Sequence, residues 1–364
     1  MHGWSRVLKL CAGLVLIAGS AISATGASAA PPTIGTVVCS AQCGAGPTYL
    51  QTIQVPGTAG RFDILAVDGG SHHLYLSHSS NGTLDVLDLA TGSFIAQIAG
   101  LPLHQDAKGN YSGSNGLAIA ANVGKVFVSD QVDNAVHVYD MTSNTQTDVI
   151  PTTQKGSDSV AYDETDKKVY VANGDSKTLT VIDATNDTVV TQIALPGGPE
   201  LALWDSFDDT IHQNLAAKNQ QAVIDPKTDT VKYLFDLPAV CSPRGAALDP
   251  SDQHIIVGCG RQMSVIMDGG DGSILAVTQH VGGSDAVAFN PVDGNYYTAS
   301  AGFKPGPVLG VLSATTNDWL ANASTDTSAH SLAVDPNTGR IYVAAQKPGT
   351  LLVFSAMTRV SQVP

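Results

Sequence analysis

Seven polar residues stand immediately before seven similar apolar runs along the chain. They are Asp63, Asn115, Asp158, Glu200, Arg244, Asp285 and His330. Carboxylates, amides and imidazoles are groups that hold metal ions and transfer protons. If the seven runs are equivalent elements of one fold, these side chains meet at one place and act together. At any single one of these positions a polar residue can also have a purely structural role, in which it forms hydrogen bonds with nearby backbone groups and with water inside the fold.

The four carboxylates in this set predict a site for a divalent cation. At about 8 Å apart, each pair of carboxylates repels by about 2 kcal/mol at an effective dielectric constant near 20. A bound cation relieves that repulsion, and Ca²⁺, Mg²⁺, Mn²⁺ and Zn²⁺ all stay open. One ion cannot reach all seven residues, so neighbouring positions must supply its ligands. No organic cofactor is predicted.

Two metal-ligand sets are possible. Asp63, Asp285 and His330 have the mixed histidine and carboxylate character of catalytic metal sites. The alternative set is rich in oxygen and consists of Asn115, Asp158 and Glu200. For catalysis we expect His330, Asp285 and Arg244 to act, with the histidine or a free carboxylate moving the proton.

The elements that position these residues repeat seven times. The openings "SNGLAIAA", "SDSVAYDE", "PRGAALDP" and "AHSLAVDP" recur at a spacing of roughly 41 to 52 residues, which is typical of propeller blades. A turn and a second strand such as "KVYVAN" follow, then a third strand ending in aspartate and a fourth strand. This predicts an all-β fold, a seven-bladed β-propeller of four-stranded antiparallel blades. The first strand of each blade then lines the central channel.

Segments near the two ends of the chain can close the ring of blades. The segment "TYLQTIQVPGT" from Thr48 resembles a fourth strand and is predicted to complete the last blade, although the tail "RVSQVP" competes for that place. Cys241 and Cys259 flank one hairpin and are predicted to form a disulfide. Cys39 and Cys43 then pair in the N-terminal extension.

The N-terminus predicts export. Residues 1–29 combine Arg6 and Lys9, a short apolar run and a small-residue cleavage site, as a signal peptide does. Residues 30–47 form an extension, and residues 48–364 form the propeller. Removing the signal changes the formal charge from −14 to −16, which disfavours nucleic acid and anionic membranes as partners. We expect a periplasmic or secreted monomer with no membrane span.

Substrate contacts are expected from residues on the same side as the seven polar positions. The long link at residues 101–111 carries His104 and Tyr111, and it is a candidate lid or a plain surface insertion. His78 and Asp130 end second strands on that side, as Asn173 and Asn214 do. We expect these residues to bind substrate or to orient the ligands.

The segments "LAVDPNTGRIYVA" and "VIDATNDTVV" resemble the YVTN-repeat, or YncE-like, family of seven-bladed propellers, over about residues 48 to 357. The resemblance implies the architecture. The oxygen-rich set is also similar to that of calcium-dependent propeller lactonases, which usually have six blades. Three functions are expected: a metal-assisted hydrolase of the lactonase or esterase type, a non-catalytic propeller that binds a small ligand, a carbohydrate or a cell-envelope partner, and a polysaccharide lyase.

Overall fold

The computed structural model of the protein describes residues 33–41, 43 and 45–357, and these residues form β-strands joined by turns. The predicted signal peptide, residues 1–29, lies outside the described residues. The described part of the chain begins with two strands, β1 (Val37–Cys39) and β2 (Tyr49–Gln54). Within the described part of the chain, no helix is long and apolar enough to cross a membrane.

The first three blades are meanders of four antiparallel strands. Blade 1 consists of β3 (Leu65–Asp68), β4 (His73–His78), β5 (Thr83–Asp88) and β6 (Ser93–Ala99). A hairpin of β7 (His104–Gln105) and β8 (Tyr111–Ser112) follows it. Blade 2 consists of β9 (Ser114–Ala120), β10 (Lys125–Asp130), β11 (Ala135–Asp140) and β12 (Thr145–Pro151). Blade 3 consists of β13 (Ser157–Asp163), β14 (Lys168–Asn173), β15 (Thr178–Asp183) and β16 (Thr188–Ala194).

The other four blades continue the pattern. Blade 4 consists of β17 (Ala202–Asp205), β18 (Thr210–Leu215), β19 (Gln220–Asp225) and β20 (Thr230–Asp236). Blade 5 consists of β21 (Pro243–Asp249), β22 (His254–Cys259), β23 (Ser264–Asp268) and β24 (Ile274–Thr278). Blade 6 consists of β25 (Ala286–Asn290), β26 (Asn295–Ser300), β27 (Val308–Ser313) and β28 (Trp319–Ser324). Blade 7 contains β29 (Ala329–Val334), β30 (Ile341–Ala345) and β31 (Thr350–Phe354). Two short 3₁₀ turns occur at Ala121–Val123 and Ala216–Lys218.

The first strands of the seven blades form a closed ring. Each one contacts the first strand of the next blade, and β29 of blade 7 contacts β3 of blade 1. The predicted seven-bladed β-propeller is therefore confirmed. We call the end of the central channel where these inner strands begin the mouth.

The apolar core is divided among the seven interfaces between neighbouring blades, with one hydrophobic cluster at each. The third residue of the second strand, such as Tyr75, Tyr170 or Tyr297, is fully buried there. Burying a large apolar side chain contributes about 1.5–3 kcal/mol. The second and third strands are buried on both faces, whereas fourth strands such as β6 alternate between exposed and half-buried residues, because only one face meets a neighbour.

The aspartate that ends the third strand shapes the turn after it. The Asp183 carboxylate accepts the backbone N–H groups of Thr185 and Asn186 at 2.7 and 3.1 Å. Asp187 then adopts a positive φ of 56°, which completes the turn into the fourth strand. The same hydrogen bonds lower the pKa of Asp183, although burial opposes them.

The N-terminal segment closes the ring. β2 pairs with β31 and supplies the fourth strand of blade 7, as predicted. The competing tail, residues 359–364, lies outside the described residues. β1 adds a fifth strand to blade 6 by pairing with β28, which the repeat pattern did not predict. The disulfides Cys39–Cys43 and Cys241–Cys259 are both present, as predicted.

Two glycines let neighbouring inner strands approach closely. A Cβ on Gly116 in β9 would lie 2.4 Å from the carbonyl oxygen of Asp158 in β13. A Cβ on Gly245 in β21 would lie 2.7 Å from the carbonyl oxygen of Asp285. Since backbone atoms cannot move aside cheaply, glycine is required where the blades converge on the channel.

Candidate functional site

The seven polar residues lie at the mouth, at or just before the start of each inner strand. Asn115, Asp158, Arg244 and His330 are the second residues of their strands, and the other three precede theirs by one or two residues. Repulsion from the Asp63, Glu200 and Asp285 carboxylates is felt at Asp158. The structure therefore brings Asp63, Glu200 and Asp285 within electrostatic range of Asp158.

Arg61 is a member of this site that the sequence analysis missed. Its Nη2 atom donates to Asp63 Oδ2 at 2.7 Å and to Asn115 Oδ1 at 2.9 Å. Gln131 Nε2 donates to the same Asn115 oxygen at 3.2 Å, and Asn115 Nδ2 donates to the carbonyl of Ser157 at 3.3 Å. A signal was available, because Arg61 precedes Asp63 by two residues and alternate residues of an extended segment point to the same side.

Arg244 and His330 both meet Asp285. Arg244 Nη1 lies 3.3 Å from Asp285 Oδ1 and 3.4 Å from Glu200 Oε2. His330 Nδ1 lies 3.6 Å from Asp285 Oδ2, and its Nε2 atom accepts from Gln346 Nε2. The three residues expected to be catalytic are therefore adjacent, with the carboxylate between the guanidinium and the imidazole.

Glutamines after two second strands form part of this arrangement. Gln131 follows β10 and Gln346 follows β30, which are equivalent positions in the blades on either side of blade 1. In blade 5 the equivalent residue is Gly260, and a Cβ there would lie 2.9 Å from Arg244 Nε. Comparing the residue after each second strand would have found all three positions.

In the structure, the members of each predicted metal-ligand set have different partners. Of the first set, Asp285 and His330 are adjacent, but the Asp63 carboxylate is held by Arg61. Of the second set, Asn115 faces Arg61 and Gln131. Across residues 33–41, 43 and 45–357, no three His, Cys, Asp or Glu side chains are grouped closely enough to enclose a metal ion. Metal binding stays a prediction.

Asp158 differs from the other acidic residues at the mouth. Its side chain is partly exposed, and it makes no hydrogen bond to any described residue. Burial raises the pKa of this carboxyl to about 7, repulsion from the other three carboxylates adds to the effect, and Arg61 opposes it. Burial also raises the pKa of Glu200, with Arg244 opposing and Asp285 adding. Asp158 therefore keeps its proton to a higher pH than an ordinary aspartate does.

The mouth carries a net negative formal charge. The four carboxylates contribute −4 and the two guanidinium groups contribute +2, which leaves −2 when His330 is neutral and all four acids are ionised. This charge lies in a channel lined by protein, where electrostatic interactions are stronger than in bulk water. The mouth therefore favours positively charged ligands.

The residues expected to contact substrate occupy different environments. His78 is fully buried within blade 1, where Nδ1 lies 2.7 Å from Asp85 Oδ2 and Nε2 donates to the Thr58 carbonyl at 2.8 Å. Asp130 is also fully buried, and burial raises its pKa to about 7. Neither side chain lies on an exposed surface where a ligand could reach it in this conformation.

The other two expected contacts lie on the hairpin of β7 and β8. His104 is exposed and Tyr111 is half-buried. The Tyr111 ring lies against Gly60, since a Cβ on Gly60 would be 3.2 Å from Tyr111 Cδ2. Gly60 precedes Arg61, so the hairpin stands beside the mouth and its tyrosine is close to the site.

Comparison with known proteins supports the architecture. No protein-family model matches the chain, and no curated protein matches it. Solved structures do match: one similar chain, from the crystal structure of a mitotic checkpoint complex, superposes with a TM-score of 0.70 at 13% identity. The alignment covers 85% of this chain and 95% of the other. At this identity the likeness shows the fold alone, and the class of protein is a seven-bladed β-propeller.

Proposed function

We propose that this protein is an exported propeller of the YVTN-repeat type that binds a divalent cation at the mouth of its channel. The repeats such as "LAVDPNTGRIYVA" support the family. The two disulfides and the N-terminal segment support export, because disulfides persist in oxidising compartments. The observation that supports the cation is Asp158, a carboxylate with no hydrogen-bond partner among the described residues, inside a mouth whose formal charge is −2 when all four acids are ionised and His330 is neutral.

The donor groups favour Mg²⁺ or Ca²⁺ over Zn²⁺. Mg²⁺ keeps several water ligands and is commonly held by only one or two carboxylates, so it does not require three clustered acids. Asp158 and Glu200 are on adjacent blades and would supply the carboxylate oxygens. Asp63 is less suitable because it already accepts from Arg61 at 2.7 Å.

Titration calorimetry on metal-free protein tests this proposal. At pH 8 we expect Mg²⁺ or Ca²⁺ to bind and to raise the melting temperature, and Asp158→Asn to weaken binding at least about tenfold. Affinity should fall as the pH drops below about 7, because the proton on Asp158 competes with the cation. Asp148→Asn is the matched control, since Asp148 is exposed on an outer strand. If none of Mg²⁺, Ca²⁺, Mn²⁺ and Zn²⁺ binds, the proposal is wrong.

Hydrolysis of a lactone or ester is a second candidate function, favoured by the position of Asp285 between Arg244 and His330. Asp285 can orient the imidazole through Nδ1, which leaves Nε2 to take a proton from water once Gln346 is displaced. Arg244 can stabilise the oxyanion that develops on the substrate. The cation would act as a Lewis acid on the carbonyl.

Turnover assays separate the two candidates. Lactones, aryl esters and uronate polymers should be offered to the wild-type protein and to His330→Ala in the presence of the bound cation. Turnover that is lost in His330→Ala supports the enzyme, and release of unsaturated uronates would identify a lyase. Cation binding without turnover of any of these substrates would identify a binding module.

A further inference from the structure

A groove lies on the same face as the mouth, beside Arg244. Its volume is about 1020 Å³, and it is formed by loops of blades 4, 5 and 6. These loops connect second to third strands, or fourth strands to the next blade, so they stand at the end where the inner strands begin. The side chains that matter here are Val240, Arg261, Gln279, Phe303 and Lys304.

The walls of the groove are fixed in place by bonds between the loops. The disulfide Cys241–Cys259 joins the segments that carry Val240 and Arg261. The Gly283 N–H donates to the Arg261 carbonyl at 2.6 Å. Gln262 connects its loop to the next blade, because its amide donates to the Gly302 carbonyl and accepts from the Lys304 N–H, each at 2.8 Å. A preformed site loses little conformational entropy when a ligand binds.

The groove is positively charged on an acidic protein. Arg261 and Lys304 are both exposed, and neither makes an ion pair with any described residue. Among the residues that the structure describes, no aspartate or glutamate lines the groove. The whole chain carries a formal charge of −14, so two unopposed cations facing one cavity form a local exception. Such cations attract carboxylate groups and can bind them by charge-assisted hydrogen bonds.

The remaining lining is mixed. Gln279 is exposed and offers both a donor and acceptors, as does the Ser242 hydroxyl. The Phe303 ring is half-buried, and Val240 is 61% exposed. An aromatic face beside amide, hydroxyl and cationic groups suits a ring-shaped polar ligand better than a hydrocarbon. The volume is at the upper end of the range for small-molecule sites.

We propose that this groove binds an acidic oligosaccharide, with Arg261 and Lys304 contacting its carboxylates. Phe303 would stack on one sugar ring, and Gln279 and Ser242 would bond to hydroxyl groups. The site is separate from the proposed cation site, although Gly260 in its lining lies against Arg244 of the mouth.

Calorimetric titration with trigalacturonate tests the proposal. We expect binding that weakens as salt is raised from about 50 to about 300 mM, and that weakens at least about tenfold in the double variant Arg261→Ala/Lys304→Ala. Lys108→Ala/Lys347→Ala is the matched control, because it removes two exposed charges outside the groove and should bind normally. Asp158→Asn should also bind normally, which separates this site from the channel.

Three results would overturn the proposal. Fully methyl-esterified trigalacturonate binding as well as the acid would show that the cations do not select the ligand. Unchanged affinity in Arg261→Ala/Lys304→Ala, with circular dichroism confirming its fold, would place the ligand elsewhere. An acidic peptide that binds through the groove when trigalacturonate does not bind at all would exclude a saccharide site.

Discussion

Replacing Asp158 by Asn is expected to stabilise the protein at alkaline pH in the absence of metal. The folded chain holds the pKa of Asp158 at about 7, against an ordinary value of 3.8. Between these values the unfolded chain releases its proton while the folded chain keeps it. The contribution of Asp158 to stability therefore falls as the pH rises from about 4 to about 7 and then levels off.

The size of this effect follows from the pKa difference. About 3 pKa units correspond to about 4 kcal/mol. Asp158 is partly exposed to the channel, and screening by channel water reduces the contribution to about 1–2 kcal/mol. For a domain of this size that amounts to a rise of about 1.5–3 °C in melting temperature for Asp158→Asn at pH 8.

The assay is a pair of melting curves with EDTA at each of several pH values from 4 to 8.5. The wild-type and variant curves should approach each other near pH 4, where both side chains are neutral in the folded chain, and separate as the pH rises to 7. Asp148→Asn should show no such separation. If Asp158→Asn is less stable than the wild type at pH 8, burial and repulsion at the mouth do not destabilise the ionised Asp158 carboxylate. The basis for cation binding is then lost.

Three further changes probe the frame of the site. Gly116→Ala should cost about 1–3 kcal/mol in urea unfolding, because its Cβ would lie 2.4 Å from a backbone oxygen, whereas Gly306→Ala has open space and should be neutral. Val55→Pro removes the N–H that donates to the Gly349 carbonyl at 2.9 Å and should cost about 1–3 kcal/mol more than Val55→Ala, which keeps it. Replacing both Cys241 and Cys259 by Ala opens a loop of 18 residues and should lower the free energy of unfolding by about 3 kcal/mol. Cys39 and Cys43 are only four residues apart, so replacing both of them by Ala should cost less. Equal losses would contradict this explanation by loop closure.

The fold could be predicted because each blade repeats the same local pattern. Apolar second and third strands, with an aspartate such as Asp183 before the turn, recur often enough to set the number of blades. Aligned repeats also placed Asp158 and Asp285 at one mouth, since equivalent residues of a closed ring must converge. The pairing of β1 with blade 6 could not be predicted, because a strand of three residues outside the repeats carries no pattern.

The partners of the site residues were harder to predict than their positions. Arg61 lies outside the aligned openings, so the sequence alone left Asn115 available as a metal ligand when the structure engages it with a guanidinium. His78 ends a second strand near the mouth, yet it faces Asp85 on the adjacent strand within the blade. The groove at Arg261 and Lys304 is built by loops, which differ from blade to blade and carry no repeat.

Closure of the ring by β2 and β31 has a consequence for how the chain folds. The Thr48 N–H donates to the Ser355 hydroxyl, a partner 307 residues away in sequence. Contacts of such long range form late, since the loop-closure entropy must be overcome first. During synthesis β2 stays unpaired until the last blade, which contains β31, has left the ribosome. At high protein concentration β2 can instead pair with β31 in the incomplete last blade of a second chain. Slow refolding should therefore produce domain-swapped dimers, in which each chain completes the last blade of the other.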